Sequence, residues 1–92
     1  MSAHHCHARG CRRECPPRHL MCHRHWRMVP ERLQARVWAT YRAGQEIDKR
    51  PSRAWLEAAE TAIEAVAELE AAARRRDELA RRQIGLDFGR GR

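Results

Sequence analysis

Apolar bulk is what this chain has least of. Its 92 residues include three tryptophans, one tyrosine and one phenylalanine, and mean hydropathy is −0.84. From Ser2 to Pro17 the only apolar side chains are those of alanine, cysteine and proline. No apolar run approaches the roughly 18–20 residues needed to span a bilayer, so no membrane role is expected. A chain this short supports one domain and excludes a large enzyme or a nucleotide-binding βαβ fold. It also buries too little surface to be comfortably stable alone, so a metal, disulfides or a partner is expected.

The first fifteen residues are polar and histidine-rich, with neither the apolar stretch nor the small-residue cleavage site of a secretory leader. The expected compartment is therefore a reducing cytoplasm, where clustered cysteines mean metal or redox chemistry. A C-x-x-C pair is also lacking, which argues against redox exchange and leaves metal binding. Lysine occurs once, at Lys49, against eighteen arginines. A GC-rich genome produces the same bias, so the preference for arginine says little by itself about phosphate recognition.

Acids are scarce where the cysteines are. Residues 1–50 hold eleven basic residues against four acids and carry the whole formal charge of +7. Residues 51–92 hold eight of each sign. The basic half is also the half with every cysteine and every histidine.

Cys6, Cys11, Cys15 and Cys22 fall within seventeen residues. Cys22 and His25 form a C-x2-H pair on a segment that reads as helical, so both side chains leave one face and share one ion. Cys6 and Cys11, spaced C-x4-C around Gly10, supply two more ligands from a knuckle in which Gly10 suits a positive φ. Two alternatives stay open: Cys15 as a fourth thiolate, or His19, one turn before Cys22. Three thiolates and an imidazole suit structural Zn²⁺ in a closed tetrahedron. Such a site leaves no open position for a catalytic water, and no enzyme activity is expected. Zinc with three thiolates lowers the charge from +7 to about +6.

The expected fold class is all-α, small and metal-stabilised: an N-terminal zinc knuckle followed by three helices, the last one long. Residues 1–29 form the knuckle and a short helix, with helical patterning from Arg18 to Val29. Residues 30–44 form the second helix, opening on Pro30 and Glu31 and stopping at Gly44. Met28 and Leu33 stand at the positions of a hydrophobic staple. After a polar linker, Ser52 caps a third helix over 52–84. Its seam of Trp55, Ala59, Ala62, Val66, Leu69 and Ala73 recurs at 4-3-4-3-4 spacing. Glu70 reads as an i, i+4 partner of Arg74 on its surface. Residues 85–92, rich in glycine, read as a flexible tail of the same single domain.

The stretch C-x4-C…PP…LMCHRHWRMVP…VWATYRAGQ resembles a group of small zinc-binding proteins encoded by bacteriophages and proteobacterial prophages. The resemblance covers about residues 3–70, and LMC-x2-HW-x2-VP is its most specific part. It implies a phage-borne accessory protein of the bacterial host cytoplasm with Cys6, Cys11, Cys22 and His25 as ligands. The position of Cys15 is not usually cysteine in that pattern. No activity comes with the resemblance.

Two binding roles follow from the residues. The basic half, with Arg24, Arg27, Arg32 and Arg36 on adjacent short helices, suits nucleic acid or a nucleoprotein complex. The stripe of Trp55, Leu56, Ile63, Val66 and Leu69 suits a partner helix, either in a host complex that the protein binds or inhibits or in a homodimer. A zinc-supported nuclease would need a catalytic histidine on a hairpin, and nothing here reads as that hairpin. No small-molecule substrate is expected.

Overall fold

Backbone hydrogen bonds shape the knuckle at the start of the chain. The computed structural model describes residues 4–82 fully and residues 83–90 only as the backbone of the last helix. The order is α1 (His23–Trp26), α2 (Glu31–Thr40), α3 (Gln45–Asp48) and α4 (Arg53–Arg90). Among the described residues there is no strand, only an antiparallel bridge between His5 and Glu14, so the fold is all-α with an N-terminal cysteine knuckle. No described helix is long and apolar enough to cross a membrane.

The knuckle doubles back on itself. The Cys6 N–H donates to the Arg13 carbonyl at 2.8 Å, and the Cys15 N–H to the His4 carbonyl at 3.0 Å. Between them the Cys11 N–H closes a turn on the Ala8 carbonyl at 3.1 Å. Gly10, at φ +81°, is its third residue and supplies the left-handed conformation that the turn needs.

The helix expected from Arg18 to Val29 is shorter, a single turn over His23–Trp26. Two competing bonds explain the difference. The His19 N–H closes a turn on the Pro16 carbonyl (2.9 Å), and the Leu20 carbonyl accepts the His7 N–H (3.0 Å), which ties this segment to the knuckle. Cys22 is consequently extended (φ −65°, ψ 163°) and caps α1 from outside.

Pro30 precedes α2 as its N-cap, one position earlier than expected. The helix ends at Thr40, not at Gly44, because Tyr41 turns extended (φ −66°, ψ 131°). Gly44 is left-handed (φ 86°) but introduces α3, a helical turn inside what reads from sequence as a plain linker. Arg42 secures that excursion: its guanidinium donates to both Asp48 oxygens (2.6 and 2.7 Å) and to the Arg50 carbonyl (2.9 and 3.1 Å).

Ser52 caps α4 as expected, its Oγ accepting the Trp55 N–H at 3.0 Å. Ala58, Ala59, Ala62 and Val66 are buried along one face of this helix and let α2 and the knuckle approach closely. They share a core with Ala8, Leu20, Met21, Val29, Val37 and two cysteines. Met28 and Leu33 pack against that core. The helix does not end at residue 84 as expected: its backbone continues through Gly85 to Arg90, so most of the expected tail over 85–92 is helical, and residues 91 and 92 lie outside the described residues.

Candidate metal centre

Four side chains from three pieces of chain meet at one point. Cys6 enters from the first arm of the knuckle, Cys11 from the end of its turn, Cys22 from the cap of α1, and His25 from α1 itself. One ligand atom from each lies within 4.8 Å of all the others. The Cys11 and Cys22 sulfurs are 4.0 Å apart, and His25 Nδ1 lies 3.3 Å from Cys22 Sγ and 3.7 Å from Cys6 Sγ. A tetrahedron with ligand bonds of about 2.3 Å has edges of about 3.8 Å. The donor atoms are therefore already spaced to surround a metal ion.

Their surroundings favour that use. Cys6, Cys22 and His25 are buried, Cys11 is half-buried, and all four cysteines are free thiols. Cys6 Sγ accepts the Ala8 N–H at 3.4 Å, so the knuckle backbone steadies the sulfur. Burial pushes the Cys6 thiol up to about 11. Burial also opposes ionisation of Cys22, but hydrogen bonds from the His25 backbone and ring, and from Cys6 and Cys11, bring it down to about 6.

The outward nitrogen of His25 has a partner that the sequence does not announce. Nε2 donates to Glu70 Oε2 at 3.0 Å, from one turn of α1 to the middle of α4. Ligating histidines commonly give their second N–H to a carboxylate, which fixes ring orientation and tautomer. Read from sequence, Glu70 is a surface partner of Arg74. The overlooked signal is its register, four residues beyond the fully buried Val66 and therefore on the apolar face.

The two alternative ligands lie outside the cluster. Cys15 is half-buried, and its thiol donates to the His19 carbonyl at 3.7 Å. Burial raises its pKa, with Cys22 and Cys11 adding to the effect. His19 is exposed and meets Trp38 edge-on, with ring centroids 6.2 Å apart.

Arginines gather beside the cluster. Arg9, Arg12, Arg13, Arg24 and Arg74 line a cleft of about 620 Å³ that also reaches Cys11, His25 and Glu70. Arg13 and Arg24 continue, with Arg27 and His23, into an adjoining hollow of about 460 Å³. Among the described residues none of these six arginines forms an ion pair. Of the four arginines singled out by sequence, Arg24 and Arg27 belong to this face. Arg32 and Arg36 are exposed on α2 and line neither hollow.

The expected interaction stripe divides. Val66 is fully buried, and Trp55 and Ile63 pack against the core. Leu56 and Leu69 are exposed, 51% and 45%. Comparison with protein-family models, with curated proteins and with solved structures finds no match.

Proposed function

We propose that Cys6, Cys11, Cys22 and His25 hold one structural zinc ion, and that the arginine face it shapes binds the phosphate backbone of nucleic acid. The chemistry of the donor set supports zinc: three sulfurs and one imidazole nitrogen at tetrahedral spacing, with a carboxylate behind the imidazole. Four protein ligands complete the coordination shell, so the ion folds the knuckle and catalyses nothing. In the setting that the phage resemblance implies, this is an accessory binding protein of the host cytoplasm.

The single observation that carries the nucleic-acid reading is the continuity of the two arginine-lined hollows through Arg13 and Arg24. Unpaired guanidiniums on one concave face attract closely spaced anions, and each phosphate contact releases a counterion. Four such contacts weaken binding on the order of 100-fold between about 50 and 200 mM salt. Gel-shift or anisotropy titrations at those two concentrations test it. Arg24→Ala with Arg27→Ala flattens the salt slope by about two. Unshifted nucleic acid at micromolar protein and low salt rejects the proposal.

A second reading, a protein partner or a second copy on α4, is favoured by the exposure of Leu69 (45%) and Leu79 (57%) along the same helix. Light scattering tests the homodimer; a monomer at every accessible concentration rejects that form of it.

A further inference from the structure

An apolar groove of about 440 Å³ runs past Cys15 and Leu20 to α2, and of the four converging side chains Cys22 alone lines it. All three tryptophans of the protein, Trp26, Trp38 and Trp55, contribute to its wall. Trp26 and Trp55 are partly buried against the core, which explains them. Trp38 is different. It is 44% exposed, yet it sits at the centre of an aromatic chain. Trp26, Tyr41 and His19 all meet it at steep angles, 79°, 67° and 87°, with centroids 5.5–6.5 Å away. No ring among the described residues is stacked parallel on it.

Basic side chains border the groove. Arg13, Arg18, His19 and His23 line it, all exposed, with Glu14 as the one acid in its wall, and Arg18 also meets Glu46 at 3.9 Å. Arg13 and His23 also line the arginine hollows, so the apolar groove and the arginine face are one continuous surface. A ligand that fills both must carry anions beside flat, apolar rings. An apolar peptide would suit the walls but leave the rim without counter-charge. A duplex would suit the arginines but keep its base faces stacked away from the tryptophans.

We propose that this groove is a stacking subsite for the bases of single-stranded nucleic acid, whose phosphates lie on the adjoining arginine face. The proposal rests on the nucleic-acid reading above and adds the strandedness. Every base has a face to stack, so recognition here is tolerant of sequence.

The test uses the full, zinc-loaded chain and anisotropy of labelled oligothymidylate and oligouridylate of about 12 nucleotides, beside a duplex of equal length. Both single strands are expected to bind about 10-fold or more tightly than the duplex and to quench tryptophan emission. A difference between the two single strands tells DNA from RNA. Trp38→Ala is expected to weaken single-strand binding about 5- to 150-fold, leaving duplex binding and the salt slope unchanged. Trp38→Phe restores most of the loss, and far-UV circular dichroism verifies that both variants fold.

Equal affinity for duplex and single strand overturns the stacking subsite, as does wild-type binding by Trp38→Ala. Equal losses in the alanine and phenylalanine variants overturn it too. In each of those cases the arginine reading stands. Failure of every probe to bind at low salt removes both.

Discussion

His25 Nε2 and Glu70 Oε2, 3.0 Å apart, join residues separated by 45 positions in the chain. One nitrogen of the same ring faces the sulfurs and the other faces α4, so the imidazole links the long helix to the cysteine cluster.

Glu70 should therefore tune metal affinity without touching the metal. Removing a carboxylate that orients a ligating histidine typically costs 10- to 100-fold in affinity. Glu70→Ala is expected to lower zinc affinity by about that factor, and Glu70→Gln by less, since its amide oxygen still accepts the N–H. Competition with a chromophoric chelator measures both. Unchanged affinity in the alanine variant would show that the contact has no influence on the ligand.

Ligand and non-ligand cysteines should separate cleanly. Zinc in comparable small modules contributes on the order of 10–16 kcal/mol to folding. Cys22→Ser, or chelation, should unfold the knuckle and α1, seen as lost amide protection over residues 4–29. Cys15→Ser should keep one zinc per chain and shift stability by about 1 kcal/mol or less. Metal loss in Cys15→Ser would place the fourth ligand elsewhere than His25.

Tyr41 offers a titration away from the metal. Its hydroxyl donates to Glu46, and that hydrogen bond to a carboxylate, with some burial, raises the phenol above its ordinary value of 10.0. A raised pKa means the folded state holds the proton more tightly, so the contribution is present below pH 10 and is lost as pH rises through the folded value. Tyr41 is the protein's single tyrosine, so the long-wavelength absorbance band of tyrosinate follows it alone. Glu46→Gln should move the midpoint back toward 10.0. A midpoint that does not move would mean that the pair does not form in solution.

Positions 66 and 69 test where the core of α4 ends. Val66 is wholly inaccessible and Leu69 is 45% exposed. Val66→Ala should cost about 2 kcal/mol, by lost transfer energy and the cavity left behind. Leu69→Ala should cost about 0.5 kcal/mol or less in the monomer. Thermal unfolding of the two zinc-loaded variants compares them. A larger loss at Leu69 than at Val66 would contradict the packing described.

Local chemistry made much of this architecture legible. The C-x4-C turn around Gly10 and the C-x2-H pair bring together the four side chains that converge, and Ser52 caps the helix it precedes. The seam through Ala59, Ala62 and Val66 faces the core because helical period alone fixes its direction. What escaped were features decided by distant partners. The helix before Cys22 is cut short because the Leu20 carbonyl goes to His7, a bond across thirteen residues. Glu70 meets His25 across a tertiary contact, while a local pairing with Arg74 satisfied every short-range rule. The turn of α3 depends on Arg42 reaching Asp48 and Arg50, which no periodicity encodes. Likewise the arginine face gathers Arg9, Arg12, Arg13 and Arg74 from separate segments, and Arg32 and Arg36, a turn apart on α2, fall elsewhere.

The hydroxyl of Ser52 donates to the Thr40 carbonyl at 3.0 Å while accepting the Trp55 N–H at 3.0 Å. The last turn of α2 and the first turn of α4 are thus stitched together by one oxygen, and the eleven residues between Thr40 and Ser52 form a closed bight. Lengthening a loop whose ends are already pinned costs little, about 0.6 kcal/mol for each doubling. Its apex, Ile47, is 80% exposed. A short insertion beside Ile47, such as an epitope or a fluorophore, is therefore expected to leave α2, α4 and the four converging side chains in place.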